Sequence, residues 1–131
     1  MTEKTWAYRQ DQLPSTHPIA ADIDDIESVK VNFDGITYAK GASVLKQLVA
    51  WVGQDAFLSA LSSYFRAHEY DNTVLADLLG ALEQSSGRDL SDWSAEWLET
   101  AGVNTLRASF ETGGEGVLTA FSVVQEAPVQ W

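Results

Sequence analysis

The sequence predicts a mainly α fold, an antiparallel bundle of four to five helices followed by a short C-terminal β-hairpin. Two observations carry this. Between Asp34 and Gly102, apolar residues recur at three- and four-residue steps in segments joined by turns of two to five residues, the spacing of antiparallel helical hairpins. After Asn104 that period gives way to strand-like alternation. A chain of 131 residues with 45% apolar and 11% aromatic side chains, and neither repeats nor a linker, can bury one core.

Residues 3–12, with Trp6 and Tyr8, read as the tail of a helix. LPSTHP (13–18) breaks it, because Pro14 and Pro18 fix φ and bias Leu13 and His17 away from helical values. Ile19 to Val31 reads as an irregular acidic arm, with Asp22, Asp24, Asp25 and Glu27 interleaved with Ile23, Ile26 and Val29. From Asp34 the helical pattern sets in: Tyr38, Ala42, Leu45, Leu48, Val49 and Val52, with Gly53 as the stop. A second helix starts at Asp55 as N-cap and aligns Phe57, Leu58, Leu61, Phe65 and His68. A third opens at Asn72 or Thr73 and carries Val74, Leu75, Leu78, Leu79 and Leu82 up to the SSG of 85–87. A fourth runs from Ser91 through Ser94, Trp97, Leu98 and Ala101 to Gly102. Leu106, Ala108 and Phe110 then alternate in a first strand, TGGEG (112–116) turns, and Val117 to Gln125 forms a second. Two strands alone are marginal in water, so the hairpin is expected to belong to a larger sheet and the chain to be a piece of a longer protein.

The formal charge of −11 opposes binding of nucleic acid or anionic membrane surfaces. No cysteine is present, which removes disulfides and thiolate metal sites. The N-terminus has no signal-like apolar run and no stretch reaches spanning length, so a soluble, cytoplasmic protein is expected. Metal ligation is poorly supplied. His17 and His68 are far apart, and His68-Glu69 opens an HExxH pattern that fails at Asn72. DIDDIE (22–27) has Glu27 where an EF-hand loop needs glycine. No phosphate loop or nucleophile elbow can be assembled. His17 reads as a loop-ordering hydrogen bonder, His68 as a core histidine, and Trp51, Trp93 and Trp97 as packing residues.

Tyr38 leaves two readings open. It is either a buried aromatic at the head of the helical stripe, its hydroxyl bonded to a backbone carbonyl, or a phenol aimed into a cleft from the first turn of a stiff helix. A phenol keeps its proton at neutral pH, so it can donate to a developing oxyanion without changing charge. Gly41 and Ala42, one turn on, suit either reading.

The order THPI (16–19), FDGITYAKGASVL (33–45), VGQDAFLSALSSYFRAHEYDNT (52–73) and DLLGALEQSSGRDLSDWSAEWLETAG (77–102) resembles the zinc aminopeptidase N family over about residues 3–110. It is similar to the helical second half of the thermolysin-like catalytic domain. The resemblance implies that residues 1–104 are that half and 105–131 the start of a β-domain. It implies that Tyr38, in the YxKGA motif, stabilises the oxyanion of the tetrahedral intermediate in peptide hydrolysis. The family's HExxH zinc ligands, general-base glutamate, third zinc ligand and amine-binding GAMEN loop have no counterpart in these residues and would precede them. Zinc is therefore expected in the parent protein, with none in this segment, and the isolated piece is expected to be inactive. Expected partners are the peptide substrate, the upstream zinc-binding half and, through an apolar face left exposed, a second copy of the chain. The sequence departs from the family at Val103 and Asn104, where proline often follows the WLxxxG block. The competing reading is a free-standing acidic helical protein-interaction module; the length of the reading frame separates the two.

Overall fold

The structure is a computed structural model and describes residues 2–23 and 25–128. Met1, Asp24 of the acidic arm and residues 129–131 of the expected β segment lie outside the described residues. The order is α1 (Thr2–Gln10), α2 (Ile26–Val31), a π-helical turn (Ile36–Lys40), α3 (Gly41–Val52), α4 (Gln54–Ala67), α5 (Leu75–Ser86), α6 (Ser91–Trp97), β1 (Thr105–Thr112) and β2 (Leu118–Glu126). It is mainly α with a short hairpin, as the periodicity indicates.

The core forms where the periodic segments face one another. Val44, Leu48 and Val52 of α3 meet Ala60 of α4, Leu82 of α5, and Leu90, Trp93 and Leu98 around α6, with Ile19, Phe57, Leu78 and Leu79 packed at the edge. The Ser85 hydroxyl, near the end of α5, donates to the Ala56 carbonyl near the start of α4 at 2.8 Å, so these helices run antiparallel. Gly53, at φ +91°, ends α3 and starts α4 within one residue, a conformation a side chain would strain. Glu83 accepts the Leu90 N–H at 2.8 Å and Asp89 the Ser91 N–H at 2.8 Å, which fixes the start of α6.

Several expectations need correction. The arm contains a helix, α2, where irregular chain was expected. Asp25 caps it by accepting the Ser28 N–H at 2.7 Å, and Lys30 pairs with Glu27. It has no buried residue, so local polar contacts sustain it. Helix α4 starts at Gln54; Asp55 lies in its first turn, not at the cap. Helix α5 starts at Leu75, with the Asp77 carboxylate accepting the Val74 N–H at 2.9 Å. Helix α6 ends at Trp97, and the chain reaches Gly102 through a turn.

The α3 stripe divides into two rows. Gly41, Val44, Leu48 and Val52 are buried, while Tyr38, Ala42 and Leu45 face outward. In α4, Leu58 and Phe65 are likewise exposed, and Ala60 takes the core position. Only Trp93 of the three packing tryptophans is buried. Trp97 is exposed, as is Trp51, whose ring lies 5.0 Å from the Arg88 guanidinium.

The hairpin pairs antiparallel, with Phe110 opposite Phe121 and Ala108 opposite Val123, and a bulge between Glu111 and Thr112. All residues of both strands are exposed.

Candidate functional site

The site is built on the turn that carries Tyr38. Within it the Lys40 N–H bonds the Gly35 carbonyl five residues back at 2.9 Å, and the Gly41 N–H reaches Ile36, the spacing of a π turn. Such single turns are frequent at functional sites. The Tyr38 ring is 50% exposed and meets Phe33 edge-on at 4.9 Å. Phe33 is itself exposed, so the buried-aromatic reading does not hold in this chain.

Asp34 closes the turn from below. Its Oδ1 accepts the N–H groups of Ile36 at 2.8 Å and Thr37 at 3.1 Å, and its backbone carbonyl accepts that of Tyr38 at 3.1 Å. Its Oδ2 accepts from Gln10 Nε2 and from His17 Nε2, the latter at 2.9 Å. Four donors fill the acceptor sites of one carboxylate. Gln10 also accepts the Gly35 N–H at 2.8 Å. A Cβ on Gly35 would sit 2.8 Å from Gln10 Oε1 and 2.9 Å from the Trp6 ring, so only glycine lets the turn lie this close to α1. His17 orders its loop as the sequence suggests, with Nδ1 2.7 Å from the Pro18 carbonyl. When the ring carries both protons it donates to both partners.

A second carboxylate ties the other end of the turn. Asp11, only 4% exposed, receives Lys40 Nζ at 2.8 Å on Oδ2, and the Thr16 hydroxyl at 2.7 Å and the Gly102 N–H at 2.8 Å on Oδ1. It joins α1, the proline loop, the π turn and the segment after α6. Sequence reasoning missed Asp11, Asp34 and Gln10, because the partners that join them to distant parts of the chain are 17 to 91 residues away; Asp34 alone left a local signal, an aspartate two residues before a helical run.

Other candidates lie elsewhere. His68 follows the last residue of α4, half-buried, and rests on the Tyr64 ring at 5.2 Å, so it is a helix-end residue and not a core one. A cleft of about 790 Å3 lies beside Lys40, Asp11, Val44 and Trp97, and Tyr38 does not line it. Among the described residues no three His, Cys, Asp or Glu side chains converge on one point. The Ser28 backbone N–H holds the Asp25 carboxyl, the cap of α2, below its ordinary value, and that of Ser91 does the same for Asp89, two residues before α6.

Residues 1–97 match the Peptidase family M1 domain. The chain is 67% identical to aminopeptidase N of Streptomyces lividans over 125 residues, 95% of this chain and 15% of that protein. It is 35% identical to tricorn protease-interacting factor F2 of Thermoplasma volcanium over 82% of the chain and 14% of that protein. It is 32% identical to aminopeptidase M1 of Arabidopsis thaliana over 86% of the chain and 13% of that protein. The chain thus spans about one seventh of the length of these relatives. No helix among the described residues is long and apolar enough to cross a membrane. With three quarters of its length matched and such identity to an aminopeptidase, this chain belongs to peptidase family M1.

Proposed function

We propose that this chain is a segment of a zinc-dependent aminopeptidase that removes N-terminal residues from peptides, and that Tyr38 is its oxyanion-stabilising donor. The observation that carries the reading is a half-exposed phenol, on a turn pinned at both ends by carboxylates, in a chain of this peptidase family. As the scissile carbonyl becomes tetrahedral, negative charge builds on its oxygen. A preorganised O–H aimed there is worth more in the transition state than in the bound substrate. Because the turn is fixed before reaction, little reorganisation opposes the new hydrogen bond.

The described residues do not fit a zinc site, since no ligand set converges among them. On this reading the metal belongs to another part of the polypeptide, and the chemistry assigned here is that of Tyr38 alone. Residues 1–104 then form the helical half of the catalytic domain and 105–131 open a β-domain whose sheet covers the hairpin. The isolated chain is inactive, and the zinc-binding half packs against its exposed faces.

Substitution of Tyr38 by Phe in the complete gene product tests the assignment. We expect kcat to fall about a hundredfold or more with KM nearly unchanged, as when one oxyanion donor is removed. A rate within about twofold of the unsubstituted enzyme would show that the hydroxyl has no such role.

A further inference from the structure

We infer that Asp34, braced by Gln10 and His17, is a positioning residue that sets the aim of the Tyr38 hydroxyl; this rests on the reading of Tyr38 as the oxyanion donor. Three observations point the same way. First, the Oδ1 contacts at 2.8 and 3.1 Å hold the amides of Ile36 and Thr37, the two residues before Tyr38, so the carboxylate fixes the backbone from which the phenol projects. Second, Tyr38 has no packed enclosure of its own. Its ring is 50% exposed and its aromatic neighbour Phe33 is 68% exposed, so its direction is set by the backbone rather than by a surrounding core. Third, the carboxylate is anchored to two other elements. Gln10 of α1 holds both Asp34 Oδ2 and the Gly35 N–H, and His17 of the proline loop holds Oδ2 at 2.9 Å. Thr37 is further tied, its hydroxyl donating to the Asn32 carbonyl at 2.6 Å. Without the carboxylate, two amides of the turn lose their acceptor, and Gln10 and His17 lose a shared anchor. The turn can then relax toward ordinary helical spacing, which moves the phenol. A displacement near 1 Å is enough to cost a donor most of its effect.

A double-substitution cycle in the complete gene product tests this. Asp34→Ala is expected to lower kcat about tenfold or more with KM within about twofold. In a Tyr38→Phe background the same change should lower kcat less than about twofold, because the group it positions is gone. Asp34→Asn keeps an Oδ1 acceptor but turns an NH2 toward Gln10 and His17. Its loss should fall between those of the wild type and Asp34→Ala, again only when Tyr38 is present. Should Asp34→Ala not be recovered folded, the cycle on Asp34→Asn decides. Equal losses in the two backgrounds would overturn the inference, since Asp34 would then support the fold in general. So would an unchanged kcat in both Asp34 variants. If Tyr38→Phe alone leaves the rate within about twofold, the donor assignment itself fails and takes the inference with it, an outcome visible before any Asp34 variant is read.

Discussion

Asp11 and Asp34 do for the π turn what a hydrophobic core cannot do for an exposed tyrosine. Each carboxylate gathers donors from separate parts of the chain, one before Tyr38 and one at Lys40 after it. The lysine of the YxKGA motif thus has a structural use here: its ammonium pairs with a carboxylate that is 5% exposed and lies between α1 and the end of the helical region. Removing one partner of a buried pair leaves the other uncompensated. Asp11→Ala should therefore cost about 3 kcal/mol, the low end for such pairs because Lys40 keeps a path to water. Urea denaturation of the chain measures it, and a loss under about 1 kcal/mol would mean the pair is solvated and weakly held. The long-range partnerships were not legible from sequence, since an aspartate's distant donors leave no periodic trace; Asp34 alone left a local signal, ahead of a helical run. The place of Tyr38 at the head of a helix makes it a candidate and the motif resemblance implies its role; its exposure is not readable from the stripe, in which Tyr38, Ala42 and Leu45 look as apolar as the buried row.

At the scale of elements, what the sequence revealed depended on what holds each element. Helices α3 to α6 face a shared apolar core, so their period gave their existence and order; their ends moved by a few residues, at α5 because the Asp77 carboxylate accepts the Val74 N–H. Helix α2 buries nothing and rests on Asp25, and its polar signals are an aspartate cap, Glu27 in the first turn and Lys30 in the last. Those signals make its acid response definite. The Ser28 N–H lowers the Asp25 pKa below 3.8 in the folded state, so the carboxylate stabilises α2 above the unfolded value, and that contribution is lost as pH falls through the lower folded one. Amide exchange at Ser28 to Asn32, corrected for its intrinsic pH dependence, should therefore accelerate below about pH 3.8, while Asp25→Ala should show fast exchange at neutral pH and no such step. Retention of the step in the substituted chain would assign it to another group. The hairpin was legible for a third reason, its alternation, which survives although neither face is covered.

Over the whole molecule, exposed apolar side chains are widespread, with Leu45, Trp51, Leu58, Phe65 and Trp97 on the helices among them. Phe33 packs on Tyr38, both exposed, and Leu106, Phe110, Phe121 and Val123 line one face of the hairpin. Contiguous patches of this kind are usually interaction surfaces. In the proposed peptidase the rest of the polypeptide covers them; the isolated chain should instead self-associate, forming dimers in sedimentation experiments at high concentration. A clean monomer throughout would count against such faces being sticky. The central claim, however, concerns charge stabilisation, and a tetrahedral anion tests it without waiting for turnover. The affinity of the complete gene product for a phosphinic peptide, which presents an anionic tetrahedral oxygen, should fall on Tyr38→Phe by about the same factor as kcat/KM, with substrate KM nearly unchanged. Undiminished affinity for the phosphinic peptide would contradict the account.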